Sequence, residues 1–395
     1  MNSSTAPRIA IHVQHLQGSG HLVRMLALGR ALIEAGMQVR VLSGGDPTQH
    51  DSGSLDLVQL PALHCKPGDF TDLRDGNDKP ITDKWRQLRL KATLAALEEY
   101  QPDLLITELF PFGRRQLRFE LIPVLEHLLS CKQDNGYPIR VVCSIRDVLQ
   151  RRKASREAET VGLLNKYFDA ILVHGDDRYL PLSNTFQQVA AIDVPVVYTG
   201  YIHSISSDSN AVDDQAASTD QSSGVVVSAG SSAAGLPLLR TALTAKPVSQ
   251  MASQPWLLRV GHSVTQQDFD ALSELADEST IVERNQPGFL STLRQHTVSV
   301  SLCGYNTSLD LLLSGRRCVL VPFEGQGESE QRDRADALSR LAHIDVLYEH
   351  ELNAENLART IDHVAVQALE EIELPDCDGL AGSVAALRQL LENAA

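Results

Sequence analysis

The stretch from Val298 to Phe323, VSVSLCGYNTSLDLLLSGRRCVLVPF, constrains this chain more than any other. Val298, Val300 and Leu302 alternate as a short buried strand would. Gly304 permits a turn, Thr307 to Leu313 has helical spacing, Ser314-Gly315 stops the helix, and Cys318 to Pro322 is apolar strand again. A helix that opens from a glycine turn leaves its first backbone N–H groups without intrahelical partners. Beside the hydroxyls of Tyr305, Thr307 and Ser308, those groups suit a phosphate or pyrophosphate. Asp310, one turn further on, is placed to accept both hydroxyls of a ribose. The pattern equally serves an ordinary βαβ unit, because any parallel sheet needs such turns.

The same alternation of strand and helix recurs along the chain. Arg8 to Val13 is a strand, Gly18-Ser19-Gly20-His21 a loop, Leu22 to Ala35 a helix and Val39 to Leu42 the next strand. GSGH is not GxGxxG, and no acidic residue ends the second strand, so a nicotinamide enzyme is not expected. Residues 46 to 82 read as polar loop. Trp85 to Tyr100 follows as a helix with a basic start at Lys84, Arg86, Arg89 and Lys91. The strand LLIT is closed by Glu108-Leu109-Phe110-Pro111-Phe112-Gly113, so a carboxylate arrives at a sheet edge in a proline-bearing turn; its plain alternative is a solvated loop glutamate. Leu117 to Leu129 reads as helix, and Ile139 to Val142, Ala170 to Val173 and Val196 to Tyr198 as strands. Ser204 to Ser223 holds almost nothing to bury and reads as a polar linker and hinge. A second cycle then starts with the strand Gly224 to Val227 and the small-residue loop Ser228 to Gly235. The expected fold is α/β, with two doubly wound Rossmann-like domains facing a central cleft: residues 1–202, a linker 203–223, and 224–395, whose last helix can pack back on the first domain.

At 395 residues the chain exceeds a single core. A formal net charge of −15 argues against nucleic-acid binding, which needs a basic face. Any anionic ligand must be held by local dipoles and a few placed side chains. Six cysteines lack metal spacing and several lie in apolar runs, as buried free thiols do, which fits a reducing cytoplasm. No signal segment or membrane span is expected, and the localisation read from this is cytoplasmic. Asp268-Phe269-Asp270 has the DxD form, but residues i and i+2 on a helix diverge, so first-turn charges are the simpler reading and no metal site is expected.

Four segments, GSGHLVRMLALGRAL (18–32), ITELFPFG (106–113), VVVSAGSSAAG (225–235) and LCGYNTSLDLLLSGRRCVLVPFEGQGESEQRDRADAL (302–338), resemble GT-B glycosyltransferases. The likeness is to the family-28, MurG-like branch, and most to the bacterial group known as predicted glycosyltransferases. The resemblance implies a nucleotide-sugar donor, UDP-linked, on the second domain and an acceptor on the first, with metal-independent, inverting transfer of a hexosyl or N-acetylhexosaminyl group and no cofactor. It assigns the donor diphosphate to Ser228, Gly230, Ser231, Gly304, Asn306 and Thr307, the ribose to Asp310, where relatives more often carry glutamate, and the sugar to Gln331 with Glu330. Gly20 and Arg24 fall on the acceptor side. Arg24 either meets an anionic acceptor or covers the exposed side of its helix. His21 is the candidate catalytic base, oriented by Glu108, or else a binding or helix-capping histidine. The acceptor can be a small molecule, a glycan or a lipid-linked group. Arginines at 114, 115, 118, 151, 152 and 156 with Lys153 are either solvated helix faces or a weak peripheral membrane contact. An epimerase or hydrolase of the same fold, and a non-catalytic nucleotide-sugar binder, stay open as alternatives.

Overall fold

The computed structural model describes residues 6–16, 20–47, 53–66, 69–135, 139–202, 222–230, 233–325, 329–369 and 373–393. The proposed linker lies almost entirely outside these residues, as do Ser231 and Glu328. The chain divides into two compact units, 1–202 with 376–395, and 203–375.

The first unit opens with β1 (Arg8–Val13), α1 (Gly20–Glu34) and β2 (Gln38–Ser43). Residues expected to be loop instead form β3 (Asp56–Gln59) and a hairpin of β4 (Leu63–Lys66) and β5 (Asp69–Asp75). These strands are short and half polar, so neither a continuous apolar run nor a clean alternation marks them. Then come α2 (Asp83–Tyr100), whose N-cap Thr82 accepts from the Trp85 N–H, β6 (Leu104–Glu108), α3 (Arg118–Asn135), β7 (Arg140–Arg146), α4 (Ala154–Tyr167), β8 (Ala170–His174) and β9 (Val196–Tyr198). The parallel sheet has the order β3-β2-β1-β6-β7-β8-β9. Its central strands are buried on both faces, as strands of a doubly wound sheet must be. Ile9, Ile11 and Val13 pack with Leu22, Met25, Leu28 and Leu32 of α1, while Ala10, Leu105 and Val141 pack on the opposite side with Leu97 of α2 and Leu121 and Val124 of α3.

The second unit contains β10 (Val225–Ser228), α5 (Leu236–Ala245), β11 (Trp256–Val260), α6 (Gln266–Leu275), β12 (Thr280–Arg284), α7 (Phe289–Gln295), β13 (Val298–Ser301), α8 (Tyr305–Ser314), β14 (Arg317–Leu320), α9 (Glu330–Leu338), β15 (Ile344–Val346) and α10 (Ala354–Ala365). Its parallel sheet has the order β12-β11-β10-β13-β14-β15. The expectation of two Rossmann-like halves holds.

The last helix, α11 (Gly379–Glu392), belongs to the first unit and buries Leu387 in the core beneath α1. Two of its glycines make that docking possible. A Cβ on Gly379 would lie 2.4 Å from the Gly200 carbonyl oxygen, and one on Gly382 would lie 2.2 Å from that of Thr199.

Candidate functional site

In an open parallel sheet, ligands bind beyond the carboxyl ends of the strands where the strand order reverses. In the first unit that point lies between β1 and β6, which are hydrogen-bonded neighbours. The chain leaving β1 becomes α1, and Gly20 and His21 are its first two residues rather than part of a loop. The chain arriving on β6 ends at Glu108. His21 Nδ1 therefore meets Glu108 Oε1 at 2.6 Å, although 87 residues separate them in sequence.

Glu108 is fully buried, which excludes the solvated-loop alternative, and its oxygen Oε1 also accepts a 2.6 Å hydrogen bond from Arg24 Nη2. Arg24 is thus buried and does not cover an exposed helix side. Burial alone would raise the Glu108 pKa. Attraction to His21 when the ring is protonated, the hydrogen bond with it, and the permanent charges of Arg24 and Arg114 reverse that and hold the carboxyl well below the usual carboxylate range. Burial pushes His21 down to about 4, and Glu108 only partly offsets this while Arg114 and Arg146 add to it. At neutral pH the imidazole is therefore uncharged. Its Nδ1–H donates to the carboxylate and Nε2 is left as an acceptor, the state a general base requires.

The turn after Glu108 is pinned. The Leu109 N–H donates to the Ser144 carbonyl at 2.8 Å, the Thr107 hydroxyl to the Phe110 carbonyl at 2.8 Å, and the Phe110–Pro111 peptide is cis. Leu109 has φ 64°, a left-handed conformation that costs a side-chain-bearing residue roughly 1–2 kcal/mol and reverses the chain immediately beyond the carboxylate. Two strands over, at the end of β8, the fully buried His174 bonds Ser144 Oγ of β7 at 2.7 Å and Thr199 Oγ1 at 2.9 Å, and burial lowers it to about 3. Sequence reasoning passed over this histidine.

It also read Arg89 only as part of a basic helix start. Arg89 is fully buried, with Nε 3.0 Å from Glu120 Oε1 and Nη2 3.0 Å from Gln14 Oε1. Thr93 and His12 converge on the same Glu120 oxygen. The available signal was spacing: Arg89 lies four, seven and eight residues before the buried Thr93, Ala96 and Leu97, on the apolar stripe of α2.

In the second unit the strand order reverses between β10 and β13, and the two glycine segments leave those two strands. Ser228 ends β10, buried; Gly230 has φ 64°, which favours glycine, and its carbonyl accepts from Asn285 Nδ2 at 2.7 Å. Gly304 caps α8 without any side-chain hydrogen bond to the helix start. Among the described residues, a Cβ at Gly20 or Gly230 would meet nothing within 4 Å, and one at Gly304 only the Thr307 hydroxyl at 4.0 Å, so there the backbone is open to close approach at all three. Asn306 is exposed, and Thr307 and Asp310 are half-buried on the first turns of α8.

Gln331 and Glu330 begin α9. Gln331 Oε1 accepts from the backbone N–H of Cys303 at 3.0 Å and of Phe323 at 3.2 Å, and Arg334 Nη1 donates to the Cys303 carbonyl at 2.9 Å. Any donor contact from Gln331 would then come from its amide nitrogen. Asn285 and Arg334 were not foreseen, since a backbone carbonyl as partner leaves no mark on sequence. Asp268 accepts from Thr265 and pairs with Arg240, and Asp270 bonds Gln266, as charges at a helix start do. Among the described residues no group of three or more His, Cys, Asp or Glu is arranged to hold a metal, and no helix is long and apolar enough to cross a membrane.

No protein-family model and no curated protein matches the chain. Solved structures match it along nearly its whole length. Acinetobacter baumannii MurG is 14% identical with a TM-score of 0.60, over 97% of this chain and 99% of that one. Phytolacca americana UGT2, complexed with UDP-2fluoro-glucose and pterostilbene, is 16% identical with a TM-score of 0.59, over 98% and 95%. CalG4, the calicheamicin glycosyltransferase, is 13% identical with a TM-score of 0.58, over 98% and 95%. At these identities the likeness is one of fold, and that fold is GT-B.

Proposed function

We propose that this protein is a glycosyltransferase that moves a sugar from a nucleotide-sugar donor, UDP-linked, to an acceptor hydroxyl with inversion. The observation that carries the proposal is the His21–Glu108 pair: a neutral imidazole on a buried carboxylate, at the strand-order reversal of a GT-B half. In this reading the first unit serves the acceptor and the second the donor. His21 Nε2 takes the proton as the acceptor oxygen attacks the anomeric carbon, and the bond from that carbon to the diphosphate breaks. Glu108 stabilises the imidazolium. The departing charge falls to the N–H groups at the start of α8 and to the loop at Gly230, with Asn306 and Thr307 as side-chain donors, Asp310 on the ribose and Gln331 with Glu330 on the sugar. Shared fold supports the reaction class, and the open backbone at Gly230 and Gly304 supports a diphosphate there.

The test is incubation with a panel of nucleotide sugars and hydroxyl acceptors, with products separated as transferred, hydrolysed or epimerised. His21→Ala should lower kcat by roughly 10²- to 10⁴-fold while donor affinity stays nearly unchanged. Transfer at near wild-type rate by His21→Ala would remove His21 from the base role, and an epimerised or merely hydrolysed donor would replace the transferase reading.

A further inference from the structure

A histidine backed by a carboxylate is ordinarily strengthened as a base, because the negative charge favours the imidazolium. Here the carboxylate is not left to the histidine. Arg24 Nη2 and His21 Nδ1 both lie 2.6 Å from one oxygen, Oε1 of Glu108, and the other, Oε2, is buried without a hydrogen-bond partner among the described residues. The two side chains reach that oxygen from a single turn of α1, as residues i and i+3. We propose that Arg24 is a positioning residue that fixes Glu108 beneath His21 and limits the strength of His21 as a base by neutralising the carboxylate it leans on.

The surroundings reinforce the effect from every side. Glu108 comes from β6, Arg24 from α1, Arg114 from the turn after β6 and Arg146 from the end of β7, and all four act on His21 or on its carboxylate. His174, on β8, is buried and feels Arg24 and Glu108 with opposite sign. Three guanidinium groups thus stand against one carboxylate. Burial first, with Arg114 and Arg146 adding to it, keeps the imidazole unprotonated through the neutral range, and Arg24 acts in the same direction through Glu108; the ring is ready to accept a proton, at the cost of proton affinity once the proton is taken. Glu108 in turn stays ionised without any contact with water, since Arg24 supplies a permanent partner.

The catalytic meaning of this inference rests on His21 being the base, but the electrostatic claim can be measured without any substrate. Long-range ¹H–¹⁵N spectra of the full-length protein, with His21 assigned by its loss in His21→Gln, give its titration midpoint. The midpoint should rise by roughly one pH unit or more in Arg24→Met, which keeps length and removes charge, and should stay within a few tenths in Arg24→Lys. Where Arg24→Met fails to fold, Arg24→Gln retains a donor for Oε1 and should show the same rise. A midpoint that is unchanged or lowered in the uncharged variants overturns the proposal. Loss of thermal stability in both Met and Lys variants with no movement of the midpoint would do the same, and would leave Arg24 a packing residue. Should no nucleotide sugar react, the function fails while the midpoint result stands by itself.

Discussion

A carboxylate with no exposed surface stays ionised only where positive charge surrounds it, and Glu108 meets that condition through Arg24 and Arg114 with His21 hydrogen-bonded beside it. The consequence for activity is a pH profile. Because burial sets His21 at about 4, kcat/KM should climb through pH values near 4 and run flat across neutrality, instead of titrating near the ordinary histidine value of 6.5. An acid limb centred at 6 to 7 would contradict the buried neutral imidazole. In the second unit, Asp310 stands one turn behind the open start of α8, so Asp310→Asn should weaken UDP by roughly 10-fold, about 1.4 kcal/mol, and Asn306→Ala with Thr307→Ala should act in the same direction. Isothermal titration with and without EDTA reads both points. Binding that EDTA abolishes would show that backbone N–H groups do not hold the diphosphate alone.

At the scale of elements, α11 is held to the first unit by contacts that only small residues allow. Its N-terminal Gly379 N–H donates to the Tyr201 carbonyl at 3.1 Å, Tyr201 N–H donates to the Asp376 carbonyl at 2.6 Å, and Asp176 accepts from the Asp376 N–H at 3.0 Å. Helix propensity alone says that Gly382→Ala should stabilise by about 1 kcal/mol. The close approach of the Thr199 carbonyl says the opposite, and a destabilisation of about 1–3 kcal/mol is expected, because this Cβ meets backbone rather than the movable end of a side chain. Chemical denaturation decides by sign.

For the whole molecule, the buried histidines make acid a destabilising agent. His21 and His174 are lowered to about 4 and about 3, so below the ordinary 6.5 the unfolded chain binds protons that the folded one refuses. Stability is therefore complete above pH 6.5, falls as the pH drops, and keeps falling until the folded values are passed. Glu120, held at about 2 against its burial by Arg89 and His12, extends the loss to still lower pH. All three belong to the first unit. Calorimetric scans from pH 7 to pH 5 should shift the transition of that unit to lower temperature, and His174→Gln, if it folds, should reduce the shift. A transition independent of pH over this range would show that these rings take up protons in the folded protein as readily as in the unfolded chain.

Sequence by itself determined the repeating frame: apolar runs of strand length, helices of 3.6 periodicity between them, and glycines where strands give way to helices. That was enough for two doubly wound halves, for the glycine segments beyond β10 and β13, and for pairing His21 with Glu108 by resemblance. The tertiary structure alone decided how they are used. Whether Glu108 is solvated or buried, whether Arg24 faces water or shares its oxygen, and whether Arg89 opens a helix or anchors Glu120 all depend on partners tens of residues away. Local periodicity reports which face of an element is buried. It carries no information about which charge from another element will meet it there, and desolvation makes that meeting decide the chemistry.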